Sequence, residues 1–221
     1  MSRDYAKLHF VVILWGFTAI LGGLIELESP VLVFYRVGLS GIILAILIKL
    51  IKAPGADSKK GQMQMLANGL LLGAHWILFF LAVKIANVSV CMIGMATTSL
   101  WTAILEPALV KERPFRAYEF GLGGIMIAAI ALIVGSEFNY LGGLLIAIFS
   151  AGIGTLFSIL NSRFTKKYNH YTIALYQMIG ATLIAGAGIL MTALWKKSMP
   201  NLIPSYQDIG WMLLLVCFCT V

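Results

Sequence analysis

Arg36 is the one cation placed well inside an apolar run of this sequence. By helical rise it sits roughly 8 Å from the nearer end of that run, a depth at which arginine costs on the order of 2.5–3.5 kcal/mol to insert into a bilayer. It either snorkels to the headgroups or faces a cavity and meets an anionic group of a substrate. Glu106, followed by Pro107, is the matching anion, roughly 6 Å from the opposite edge. In a hydrocarbon core of about 30 Å the two charges differ in depth by roughly 16 Å, too far for a direct ion pair. Glu106 either caps a helix opened by Pro107, which removes a backbone donor, or works as a protonatable gating or coupling residue. His75 falls near the middle of the third apolar run beside Trp76, with Thr97, Thr98 and Ser99 at similar depth on the next. A neutral imidazole bonded to a neighbouring helix, a substrate contact and a proton carrier are all open for it. Trp15, Tyr35, Trp76, Trp101 and Tyr176 lie at depths suited to the wall of a cavity, or serve as packing and interfacial residues.

Several chemistries are absent from the pattern. There is no His-Glu-x-x-His, no phosphate-binding loop, no Gly-x-Ser-x-Gly, no Cys/His cluster and no pair of intramembrane aspartates. A membrane enzyme acting on lipid or isoprenoid would place His75 and Glu106 in acid/base roles, and their separation in depth argues against one shared site. A non-transporting membrane scaffold is the other alternative. No catalytic residue, metal or bound cofactor is expected.

The elements that must hold these residues follow from composition. Of 221 residues, 60% are hydrophobic and 11% charged, with a mean hydropathy of +0.94. A soluble domain carries about 25% charged residues, so a water-facing surface is excluded and the expected fold is an all-α integral membrane protein. Apolar runs fall near Leu8–Ile25, Val31–Leu50, Leu66–Val83, Val88–Val110, Tyr118–Gly135, Leu141–Leu160, Ile173–Leu194 and Ile209–Val221, which predicts a bundle of about eight spans. The first run is retained as a helix, because no small-residue cleavage site follows it. Cys91, Cys217 and Cys219 all sit in apolar runs and read as small buried hydrophobes.

Charge placement gives an orientation. Twelve of the sixteen Lys and Arg residues cluster at the N-terminus (Arg3, Lys7) and in the second-to-third, fourth-to-fifth and sixth-to-seventh connections. The positive-inside rule puts that side in the cytoplasm, so the net charge of +7 is a topology signal and no nucleic-acid partner is called for. A shift of 141 residues, as from Arg36 to Gln177, aligns Leu32-Val33-Phe34-Tyr35-Arg36 with Ile173-Ala174-Leu175-Tyr176-Gln177, and Gly69 with Gly210. The unit holds five helices, an odd number, so its second copy enters from the opposite face, the inverted-repeat plan of secondary transporters. The expected units are residues 1–137 and an incomplete 138–221.

Leu14-Trp15-Gly16, Pro30…Phe34-Tyr35-Arg36 and above all Leu105-Glu106-Pro107 with Lys111-Glu112-Arg113 resemble the EamA-like family of the drug/metabolite transporter superfamily. The resemblance implies ten helices in two inverted five-helix repeats, cytoplasmic termini and a central cavity from which small metabolites, amino acids or drugs are exported by alternating access. It also implies that Arg36 is the family's helix-two arginine and Glu106-Pro107 its helix-four signature, while Gln177 breaks a symmetric charged pair. Substrate contacts are therefore expected at Arg36, His75, Trp76, Thr98, Trp101, Tyr176 and Gln177, and gating at Glu106. The partners are a small-molecule substrate and the lipid bilayer of the cytoplasmic membrane. The repeat shift carries the eighth helix to about residue 224 and the last two beyond it, so the sequence is expected to lack two helices and, alone, not to transport.

Overall fold

A computed structural model describes residues 2–134 and 140–220. Among them it has nine helices: α1 (Ser2–Leu24), α2 (Ser29–Ile51), α3 (Lys59–Ile85), α4 (Val88–Met95), α5 (Thr98–Leu109), α6 (Ala117–Val134), α7 (Leu141–Phe164), α8 (His170–Lys196) and α9 (Tyr206–Cys219). Local chemistry sets their ends. Pro30 stands in the first turn of α2, where its missing N–H costs nothing. Ser58, Asn87 and Asn169 accept from the first free amides of α3, α4 and α8, and Ser205 with Asp208 closes a capping box on α9. The Ser58 cap starts α3 seven residues before its apolar run, and left-handed Lys52 and Lys197 end α2 and α8.

Among the described residues six helical stretches are long and apolar enough to cross a membrane, the pair α4–α5 counting as one. The shorter α9 is also apolar, and α6 is apolar throughout most of its length. The fold is therefore the expected all-helical membrane bundle. The fourth run is not a single rod. It breaks at Ala96–Thr97, where Thr97 Oγ1 donates to the Gly94 carbonyl and Thr98 Oγ1 to that of Met95, each at 2.6 Å. Such back-bonds compete with the helix ladder and bend it, and Pro107 inside α5 removes a further donor.

α3 is the centre of the bundle, packed against α7 on one side and α8 on the other. α2 lies on α8 and α3, α4 and α5 lie on α7, α1 packs on α9, and α6 on α5. Close approach of α3 and α8 depends on residues without side chains: a Cβ on Gly69 or Gly180 would run into the backbone of the facing helix, as would one on Gly73 at Ala181. Gly143 of α7 lies against the Cβ of Ala86 and Gly94 of α4 against the Cβ of Ala147, each too close for a second Cβ, whereas Gly124 faces open space. In lipid, where apolar burial does not drive helix association, this tight contact is what holds helices together. The outward residues are large and apolar, among them Phe10, Ile13, Trp15, Ile46, Leu190 and Leu194, as a lipid-facing surface requires.

Candidate functional site

Among the described residues Arg36 is the one buried Lys or Arg. Arg36 lies about 10 Å along α2 from Ser29 by helical rise, and its side chain is closed off from solvent. Its guanidinium stacks over Trp76, 4.1 Å from the ring centroid, with Phe80 at 5.7 Å, a contact that cation–π attraction favours. Arg36 Nε donates to Thr220 Oγ1 at 2.8 Å and Nη2 to the Cys219 carbonyl at 3.2 Å. Nη1 is buried without a hydrogen-bond partner among the described residues. Trp76 is about 14 Å from the Ile85 end of α3 by the same rise, so the stack lies well inside the span, about 10–14 Å from the α1–α2 end. Snorkelling is not what this side chain does.

His75, one residue earlier, points at a different neighbour. Its Nδ1 is 2.9 Å from the Ser150 carbonyl, and Ser150 Oγ donates to the His75 carbonyl at 2.8 Å. All donors are used when Nδ1–H donates to α7, which leaves Nε2 as the acceptor of a neutral ring. Gly154 makes room for the imidazole, since a Cβ there would lie 2.9 Å from Nδ1. Trp101 treats α7 in the same manner, donating Nε1–H to the Ile148 carbonyl at 2.9 Å over Gly152. Thus α7 is gripped by two rings, His75 from α3 and Trp101 from α5. Ser150→Ala keeps the carbonyl that the imidazole grips and removes the hydroxyl bond to the His75 carbonyl, a loss expected to cost about 1 kcal/mol of stability, read as an earlier midpoint in SDS-titrated unfolding.

The remaining candidates lie elsewhere. Thr98 closes the break between α4 and α5. Tyr176 packs beside Ala56, Met65 and Ile173 at the end of the bundle where α2 meets α3. Gln177 donates to Asn161 Oδ1 at 2.7 Å, and Asn68 donates to the Phe157 carbonyl at 3.4 Å while its own oxygen is buried without a partner among the described residues. Arg36, Trp76 and His75 therefore share one level, and Tyr176 and Gln177 share another. Trp15, by contrast, is on the outer surface. Glu106 pairs with Arg113 Nε at 2.9 Å, and that hydrogen bond holds the Arg113 guanidinium above its ordinary value.

At the α1–α2 end, three ties converge on the turn before α2. Lys84 donates to the Ile25 carbonyl at 2.6 Å, Asp208 accepts from the Glu26 amide at 2.8 Å, and Lys196 pairs with Glu28 at 2.9 Å. A half-open cleft of about 480 Å³, lined by Glu26, Glu28, Asn201, Ser205 and Asp208 among others, lies beside them. Tyr35 adds a bond to the Leu202 carbonyl at 2.8 Å.

The EamA-like transporter family matches residues 7–135 of this chain. The chain belongs to that family. No curated protein and no solved structure matches it. As an EamA-like protein it is a multi-pass membrane transporter of the drug/metabolite type. The matched stretch contains both Arg36 and the Glu106-Pro107…Arg113 element. In this EamA-like chain that element is a local brace: Pro107 frees a carbonyl ladder position, and Glu106 reaches across seven residues to Arg113.

Sequence reasoning missed Phe80, Ser150, Asn68, Asn161 and Thr220. Phe80 was the accessible one, since it follows Trp76 by four residues on the same helical face. The others become visible only when helices far apart in sequence are brought together.

Proposed function

We propose that the protein is a secondary active transporter that exports small metabolites, amino acids or drugs across the cytoplasmic membrane by alternating access, without catalysis. The observation that carries this reading is the buried Arg36–Trp76 stack well inside a span, since an intramembrane charge that is not at a helix end marks a substrate or ion pathway. The α1–α2 end is the outer face and the α2–α3 end the cytoplasmic one, by the distribution of Lys and Arg.

Packing supports two inverted units, residues 1–137 and 138–221. Under the 141-residue shift α1, α2 and α3 correspond to α7, α8 and α9. An inverted two-fold then maps the α2–α8 contact onto itself and the α3–α7 contact onto α1–α9, and both of these contacts are made. Arg36 and Gln177 fall seven residues into α2 and α8 from Ser29 and His170, so they stand at matching depths, about 10 Å from opposite faces. In this reading Arg36, Trp76 and His75 contact substrate about 5 Å to the outer side of the midplane, close to where inverted-repeat transporters bind. Tyr176 and Gln177 line the cytoplasmic half, Thr98 and Trp101 flank the α4–α5 break on which the wall moves, and the Glu106–Arg113 tie acts as the inner gate. The test is efflux from proteoliposomes of the full-length protein loaded with a panel of labelled amino acids, organic acids and amphipathic drugs. Saturable flux of at least one is expected, and none above protein-free vesicles would overturn the reading.

A further inference from the structure

We propose that the solute held at Arg36 is an organic monoanion, one carboxylate with no balancing ammonium. The inference rests on the transport reading for its biological use, and on the charge inventory of the spans for its content. Arg36 is the one buried Lys or Arg among the described residues. No acid occupies the middle third of any of the described helices. Of the acids near span ends, Glu106 is engaged with Arg113, Glu28 with Lys196, and Asp208 with the Glu26 and Ser205 amides through its two oxygens, while the exposed Glu26 side chain lines the cleft at the α1–α2 end.

A buried cation with a partnerless Nη1 lacks an anion among the described residues. A solute carboxylate would give Nη1 its acceptor and leave the loaded centre neutral, which is the state that crosses a low-dielectric midplane at least cost. A cationic solute would place a second positive charge beside the first. A zwitterion would bring an ammonium for which no carboxylate waits, and the local acceptors, Thr220 Oγ1 and the Cys219 carbonyl, already serve Arg36. A phosphate dianion would leave one charge unmatched. The rings of Trp76 and Phe80 that flank the guanidinium provide an apolar wall for the organic body of the solute.

The matched probes are benzoate, benzamide, benzylammonium, phenylalanine and phenyl phosphate, with binding to full-length protein measured by titration calorimetry and flux measured in proteoliposomes. Benzoate is expected to bind at least about tenfold more tightly than the other four, a difference of about 1.4 kcal/mol. Arg36→Gln should abolish that preference, and Arg36→Lys should retain part of it. Absence of a carboxylate preference in the wild type, or its survival in Arg36→Gln, overturns the proposal. If Arg36→Gln does not fold, the wild-type ranking decides alone. Benzoate binding with no flux of any probe supports the anion site and overturns the transport reading. Flux of another probe without benzoate binding supports transport and overturns the anion site.

Discussion

Arg36→Gln is expected to cut flux of the transported solute at least about 30-fold while leaving the unfolding midpoint close to that of the wild type. The first half follows from the geometry of the stack. Removing one partner of a desolvated charge pair costs about 2–5 kcal/mol, which corresponds to roughly 30-fold or more in affinity. The second half follows from the price of keeping the charge. Without solute, Arg36 has one unmatched donor in a buried position, and an arginine at this depth opposes insertion by about 2.5–3.5 kcal/mol. Its bonds to Thr220 and Cys219 and its stacking on Trp76 work in the other direction and are of similar size. Glutamine keeps much of the length and gives up both, so the net change in stability is expected within about 1 kcal/mol. A residue kept for packing alone would show the opposite pattern, a lowered midpoint with proportional loss of flux. Parallel SDS-titrated unfolding and proteoliposome efflux on one preparation separate the two.

Arg36 was legible because a charge at that depth is expensive wherever the chain folds, so its type and position carry information without tertiary knowledge. Membrane topology was legible for the same reason: apolar runs of the required length and clusters of Lys and Arg are local properties. The partners of these residues were not. Thr220 meets Arg36 across 184 residues, and nothing in a run of Cys-Thr after an apolar stretch distinguishes a hydroxyl that accepts from arginine from one that only back-bonds its own helix. Trp101 shows the converse. Its depth suggested a cavity wall, yet the indole N–H is used on the Ile148 carbonyl, since in lipid an unsatisfied donor costs several kcal/mol and a helix with a glycine offers an exposed acceptor. The break in the fourth run had a local signal in Thr97-Thr98, whose hydroxyls reach back to the carbonyls three residues before, but apolar periodicity alone runs straight through it. Asp208 had one too: Ser205-x-x-Asp208 is a capping pattern, and its second use, on the Glu26 amide 182 residues away, was beyond local reading.

Gly180→Val is expected to prevent assembly of the α3–α8 core, whereas Gly124→Val should be nearly silent. The two substitutions add the same atoms to a helical glycine and differ only in what those atoms meet. At Gly180 a new Cβ would collide with the Leu66 carbonyl and lie 3.0 Å from Gly69 Cα, all of it backbone that no rotamer change can move. α3 and α8 would have to separate, and the facing contacts of Gly69 with Gln177 and of Gly73 with Ala181 would open with them. Overpacking of a side-chain core costs about 1–3 kcal/mol; here the whole interface is displaced in a solvent where close van der Waals contact is the main source of helix association, so the loss is expected to reach or exceed the upper end of that range. At Gly124 nothing lies within 4 Å, and valine would extend into lipid, which accepts it at little cost apart from the stiffness of a β-branched residue in a helix. The measurement is the yield of monodisperse protein in mild detergent and the SDS midpoint for each variant. Equal behaviour of the two would show that the α3–α8 approach is not what holds the bundle. A selective loss at Gly180 would also place the Arg36 stack on that interface, because α2 reaches it through its own contact with α8; separation of α3 from α8 should then pull Trp76 from beneath the guanidinium and reduce solute binding in whatever folded fraction survives.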